Sequence, residues 1–219
     1  MGKRLALLGA VLLTYAAPVR ADPFADTIYS NLGPGGTWSD LSWTTRESDS
    51  PEERTFHIWW ATPFTPTTTG AVTALELPFN YRADGSGSLI VDIRSAAGGL
   101  PGTVLESFTL DGSTAPPTTL YSFTSLIRPV LAAGSLYFVT FGTTGSDDNL
   151  ANWHASPILP RESEIAQAGE RDGPYFTVTS TPLAFRVQAE ALNATPEPSS
   201  LLLLGTALAG LAARRRRGR

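Results

Sequence analysis

The chain of 219 residues has no cysteine. Disulfides, thiolate metal sites and a cysteine nucleophile are therefore excluded, and an exported domain would have to be stable without covalent staples. Lysine is nearly missing too, Lys3 being the only one. Histidine is confined to His57 and His154, in His57-Ile58-Trp59-Trp60 and Trp153-His154. Neither sits in a nucleophile elbow or a HExxH helix; only a spatial triad, which leaves no fixed spacing, would use one as a base. The glycine pairs lack the lysine and the strand-to-helix setting of a phosphate loop. Between the two ends no long segment carries a helical apolar period.

What is present is concentrated first at the ends. Lys3 and Arg4 precede an apolar run over 5–17, and Val19-Arg20-Ala21 places small residues at the minus-three and minus-one positions of a cut after Ala21. This is the pattern of a secretory signal peptide over 1–21, which implies passage through the Sec translocon. At the other end Pro196-Glu197-Pro198 is followed by an uncharged run over 199–213, SSLLLLGTALAGLAA, and by Arg214, Arg215, Arg216, Arg217 and Arg219. Five arginines are costly to pull through a bilayer and act as a stop-transfer signal. As a helix the 15-residue run spans about 22 Å against a hydrocarbon core of about 30 Å, so it reads as a marginal, short-lived membrane span. The two prolines keep the segment before it extended and accessible.

Together these ends resemble those of PEP-CTERM proteins, whose tail of Pro-Glu-Pro, apolar helix and basic cluster is recognised by an exosortase. The resemblance implies cleavage near Pro-Glu-Pro in a Gram-negative bacterium after a transient stay in the inner membrane. Release to the envelope surface or an extracellular polysaccharide matrix would follow. An uncut C-terminal anchor has the same hydropathy and is the alternative.

Discounting the ends changes the charge. Eight of the 16 basic residues lie in them, whereas all 20 acidic residues fall between Asp22 and Glu197, leaving eight against 20 and a net charge of −12. Nucleic acid and anionic membrane surfaces need clustered Lys and Arg and are disfavoured as partners. A neutral polymer such as exopolysaccharide, or a cation, is compatible. The segment 22–195 is one domain's worth of chain, between the signal peptide and the sorting signal at 196–219.

That middle is rich in Gly, Pro, Thr and Ser, with short β-branched and aromatic runs at 55–60, 72–79, 88–94, 103–110, 119–126, 135–142, 175–179 and 184–190. The expectation is an all-β chain: one jelly-roll-like β-sandwich flanked by the N-terminal signal helix and the C-terminal hydrophobic helix. In 88–94, Leu89, Val91 and Ile93 should face one way and Ile90, Asp92 and Arg94 the other. The Gly-rich stretches 83–87 and 98–102 supply turns, and 161–168 (RESEIAQA) is the only stretch suited to a short helix, or equally to a loop with one helical turn. The segment Ile28-Tyr29-Ser30-Asn31-Leu32-Gly33-Pro34, the strand 88–94 with Gly99-Leu100-Pro101-Gly102-Thr103-Val104-Leu105-Glu106 after it, and Tyr137-Phe138-Val139 before Trp153 resemble the choice-of-anchor R type of domain. That implies a surface β-sandwich and transfers no catalytic residue.

Three constellations could carry chemistry. Paired carboxylates held about 5 to 10 Å apart would suit glycoside hydrolysis; Asp92 and Glu106 lie on neighbouring strands, where exposed edge charges explain them equally well. Asp147, Asp148 and Asn149 offer oxygen ligands for Ca2+ in the loop after 135–142, with a spacing unlike an EF-hand. Adjacent Trp59 and Trp60 must face opposite sides of a strand, which puts one of them towards the surface or an edge. Trp38, Trp60 and Trp153 are the candidates for stacking on a sugar, against core packing as the plainer role. The reading is a non-enzymatic, exported surface or matrix protein, with no catalytic residue assigned and no cofactor unless Ca2+ binds. A secreted glycan hydrolase and a protein-binding adhesion module are the rivals.

Overall fold

The computed structural model describes residues 27–47, 58–82, 87–111, 118–144 and 149–192. The segment expected as a signal peptide, with Ala21, and the sorting segment 196–219 lie outside them, as do His57, Asp147 and Asp148. Two antiparallel sheets make up most of these residues, in a sandwich-like arrangement. One sheet runs in the order β1 (Thr27–Ser30), β13 (Arg186–Ala191), β4 (Gly70–Arg82), β10 (Asn149–His154), β2 (Ser42–Glu47), with β7 (Thr119–Thr124) and β8 (Val130–Leu131) also paired to β4. The other has six strands in the order β12 (Phe176–Ser180), β11 (Ser163–Ala168), β3 (Trp59–Phe64), β9 (Tyr137–Thr144), β5 (Ser88–Ala97), β6 (Leu100–Asp111).

β4 is the spine of the first sheet. β13 pairs with its residues 70–76 and β7 with 74–79. Because both claim 74–76, they occupy opposite edges of β4. Alternation along β4 breaks once. Val72 and Leu75, three residues apart, are both fully buried, which strict period two forbids. The register explains it: Gln188 pairs with Ala74 and Ala189 with Val72, so Thr73 is the extra residue of a bulge.

Leu89, Val91 and Ile93 of β5 all point into the main core, with Phe108 and Leu110 of β6 and Val139 and Phe141 of β9. The facing sheet contributes Val72, Leu75, Leu77, Phe79, Phe123 and Val187. Each such side chain contributes about 1.5–3 kcal/mol by leaving water. Trp153 is completely enclosed and its indole Nε1 donates to the Ala184 carbonyl at 2.7 Å, so its one polar atom is satisfied.

The six-stranded sheet is buried on its second face as well. Trp59, Ala61, Ile90, Phe138, Ala166, Ala168 and Tyr175 form a smaller cluster there. Trp59 and Trp60 do face opposite sides, but both are buried, one in each cluster. The expected exposure of one of them is therefore corrected: a double-sided sheet has no open face at that point. Gly142 makes room for this packing, since a Cβ there would run into the Trp59 indole.

Within 161–168, expected as a short helix or a loop with one helical turn, residues 163–168 form β11 instead. It is paired on both sides, to β3 and β12, and Ile165 enters the main core while Ala166 and Ala168 enter the outer cluster. Hydrogen-bond ladders on both edges outweigh a few tenths of a kcal/mol of helix propensity per residue.

Candidate functional site

The outer face of the six-stranded sheet holds the densest polar arrangement described. Asp92 of β5 stands in register with Thr140 of β9 and Ser107 of β6. Alternation puts it on the face opposite Val91 and Ile93, where its side chain has no solvent exposure. Arg171 grips it with two bonds, Nη2 to Oδ1 at 2.6 Å and Nε to Oδ2 at 3.0 Å. Arg94 adds Nη2 and Nε contacts to Oδ2 at 2.9 and 3.3 Å, and the Thr140 hydroxyl donates to the same oxygen at 3.4 Å. Arg94 also reaches Asp172 Oδ1 at 2.8 Å and the Gly102 carbonyl at 3.3 Å, with its guanidinium 5.9 Å from the Tyr175 ring centre. The Tyr175 hydroxyl donates to the Arg171 carbonyl at 3.0 Å. The turn carrying Arg171 and Asp172 is thereby clasped over the sheet.

Burial by itself pushes the Asp92 carboxyl up, yet hydrogen bonds from Arg171, Arg94 and Ser107 and the charge of Arg171 outweigh it and hold the carboxyl below its ordinary 3.8. A carboxylate with so many donors is a structural anion and a poor proton acceptor. Burial also pushes the Tyr175 phenol up to about 12, against the lowering influence of Arg94, and burial pushes Tyr29 to about 12. Two tyrosines should therefore stay neutral in an ultraviolet titration until about pH 12. Their contribution to stability is complete below the unfolded value near 10 and fades as pH rises from there towards 12. Normal titration of all tyrosines in the folded protein would refute this.

Asp92 and Glu106 do not form a carboxylate pair. Glu106 stands opposite Ile93, on the other face of the sheet from Asp92, and the two cannot converge on one bond. Nor are they exposed edge charges, both being buried. Glu106 takes the Ser125 hydroxyl on Oε2 at 2.5 Å and the backbone N–H groups of Leu126 and Ile127 on Oε1 at 2.7 and 3.0 Å. It organises the loop between β7 and β8.

Of the stacking candidates, Trp60 and Trp153 are core residues and present no face to a sugar. Trp60 donates its indole N–H to the Thr44 carbonyl at 3.0 Å. Trp38 is half-buried, its ring centre 6.3 Å from that of His154. His154 Nδ1 is 3.1 Å from the Ser39 carbonyl, which can only accept, so Nδ1 carries a proton. Nε2 is buried and has no hydrogen-bond partner among the described residues. A nucleophile-base-carboxylate triad also donates from Nδ1, but to a carboxylate, and places a hydroxyl at Nε2; here Nδ1 meets a backbone carbonyl and no described hydroxyl bonds Nε2. Of the calcium candidates only Asn149 is described, as the first residue of β10.

Beside the clasp the same outer face carries a groove of about 250 Å3. Pro63, Leu100, Leu136 and Phe138 supply its apolar surface, and Glu164 and Thr177 its polar side. It was not legible beforehand because its residues come from five separate segments.

A PEP-CTERM protein-sorting motif matches residues 194–217. No curated protein and no solved structure matches the chain. The motif begins two residues after the last described residue, Leu192. It makes this an exported protein handled by an exosortase and held transiently at the membrane on its way to the cell surface.

Proposed function

We propose that the protein is a non-enzymatic component of the cell surface or extracellular matrix that associates with neutral exopolysaccharide. The sorting motif at 194–217 carries this reading, because it sets the compartment in which the domain works. The resemblance of the middle segment to the choice-of-anchor R type is in keeping with it. The net charge of −12 between the two ends argues for a neutral rather than an anionic polymer.

The groove is the proposed contact. Pro63, Leu100 and Leu136 can lie against the apolar face of a sugar ring while Glu164 and Thr177 accept or donate to its hydroxyls. Its volume of about 250 Å3 falls below the range of about 300–1,000 Å3 usual for small-molecule sites, which suits weak contacts repeated along a polymer. The double variant Leu136→Ser/Thr177→Ala should reduce retention of the full chain on the host's neutral exopolysaccharide about tenfold, or about 1.4 kcal/mol, with an unchanged melting temperature. Equal retention of variant and parent would reject the groove. Release of shortened glycan during the same incubation would replace the non-enzymatic reading with a hydrolytic one.

The sorting step has its own test. In exosortase-positive cells, Pro196→Ala/Glu197→Ala should leave full-length protein in the membrane fraction, whereas the parent chain is shortened and released. Parent chain that stays full-length and membrane-bound would identify the tail as a permanent anchor.

A further inference from the structure

The loop between β7 and β8 is built to expose what proteins usually hide. Leu126 is 89% exposed, Ile127 68% and Val130 54%. Scattered exposed leucines need no explanation, but three large apolar side chains within five residues form a patch. The loop is also firmly held. Glu106 fixes the N–H groups of Leu126 and Ile127, the Arg128 N–H donates to the Ser125 hydroxyl at 3.0 Å, and the Val72 N–H donates to the Pro129 carbonyl at 3.0 Å. Arg128 adopts φ 55°, a left-handed conformation that a side chain bearing a Cβ rarely takes. A buried carboxylate and a strained residue thus hold Leu126 and Ile127 out in solvent.

The place of the loop gives it a partner. Gly70 of β4 pairs with Leu131 on one edge and with Ala191 on the other, so the loop and the end of β13 are two strand spacings apart, about 10 Å. Arg128 spans the gap to Glu190 at 2.5 Å, and Leu192, itself 49% exposed, donates its N–H to the Thr69 carbonyl. From Leu192 the chain continues into the sorting motif at 194–217, and the apolar run begins at Ser199. Seven residues reach at most about 25 Å. While the tail is in the bilayer, this end of the sandwich cannot be further than that from the lipid.

We propose that Leu126, Ile127 and Val130 form a membrane foot that enters the boundary between headgroups and acyl chains while the tail is inserted, and so seats the domain on the bilayer. The inference rests on the tail's transient membrane residence. The contact is apolar: Arg128 is paired with Glu190, and a domain of net charge −12 gains nothing from anionic lipid. Zwitterionic lipid should suffice.

Because the chain has no cysteine, a single introduced thiol labels one position. Full-length Ile127→Cys and Thr118→Cys, the latter exposed at the far end of β7, carry an environment-sensitive fluorophore in phosphatidylcholine vesicles doped with nitroxide lipid. Both should float with the vesicles. The label at 127 should be blue-shifted and quenched at least threefold more than the label at 118, and adding Leu126→Glu should abolish the difference. Equal quenching at the two positions in floated protein overturns the foot and leaves the anchored tail standing. A blue shift at 127 without quenching assigns the patch to protein, a second copy included, and also overturns it. If neither variant floats, the tail does not insert, and both the membrane residence and the foot are lost.

Discussion

Replacing Asp92 by asparagine is expected to lower stability by about 3–5 kcal/mol, because it removes the partner of two arginines while keeping shape. Arg94 is almost wholly enclosed, its side chain 4% exposed, and would keep the Gly102 carbonyl and, as its carboxylate partner, Asp172, whose side chain is 76% exposed and wet. Arg171 would lose both of its bonds to the carboxylate. At about 2–4 °C per kcal/mol for a domain of this size the melting temperature should fall by about 6–20 °C. The pH dependence supplies an independent check. The folded carboxyl lies below its ordinary 3.8, so its contribution is fully present above that value and is lost as pH falls through the lower, folded one. The gap between parent and Asp92→Asn should therefore close in acid. A gap that persists unchanged at low pH, or none at neutral pH, would show that the clasp is not what secures this face. Changing Asp92, Arg94 and Arg171 together to apolar residues of similar volume should recover most of the loss, since a buried ion pair is far costlier to break than to replace.

Gly142→Val is the second large effect, and it arises from volume alone. Gly142 faces Trp59 across the β3–β9 pair, and even one methyl group would overlap the indole six-membered ring. That ring is 3% exposed and belongs to the outer cluster with Phe138, Ala166 and Tyr175, so it cannot swing aside without uncovering them. Overpacking of this kind costs about 1–3 kcal/mol and more where the neighbour is rigid; a loss of about 3 kcal/mol, read as a melting shift of about 6–12 °C, is expected. Trp59→Ala alone should also destabilise, by leaving a cavity. Combined with Gly142→Val it should cost clearly less than the sum of the two, because each change relieves the other. Strict additivity would mean that Gly142 does not serve to seat Trp59.

The strands that announced themselves are those with one clean apolar face. Residues 88–94 alternate as expected and lie in β5, and 72–79, 103–110 and 135–142 lie largely within β4, β6 and β9. β1, β2 and β10 (TIYS, SWTTRE, NLANWH) carry little signal of their own because they are short or rich in polar residues, and they gain their places through pairing, β1 with β13, β10 with β4 and β2 with β10. The outer cluster was hidden for a different reason. Ile90, Asp92 and Arg94 look like a solvent face, and nothing local reveals that a turn some eighty residues later covers them. The same holds for the patch at Leu126 and Ile127: the sequence continues an apolar strand there, while Glu106, some twenty residues earlier, turns the backbone away. The sorting tail, by contrast, is read from contiguous residues, which is why it was plain without any fold.

The pairing of β1 with β13 joins the first and last strands of the described chain. Synthesis makes Thr27 early and Ala191 late, so the edge that β1 closes does not exist until nearly the whole domain has been delivered. For a chain exported from its N-terminal end, that moment comes as the apolar tail itself reaches the membrane. Completion of the sandwich and arrest of the tail are thus tied to the same stretch of chain, a few residues apart. Whatever handles the sorting motif meets a cargo whose last strand has only just become able to dock.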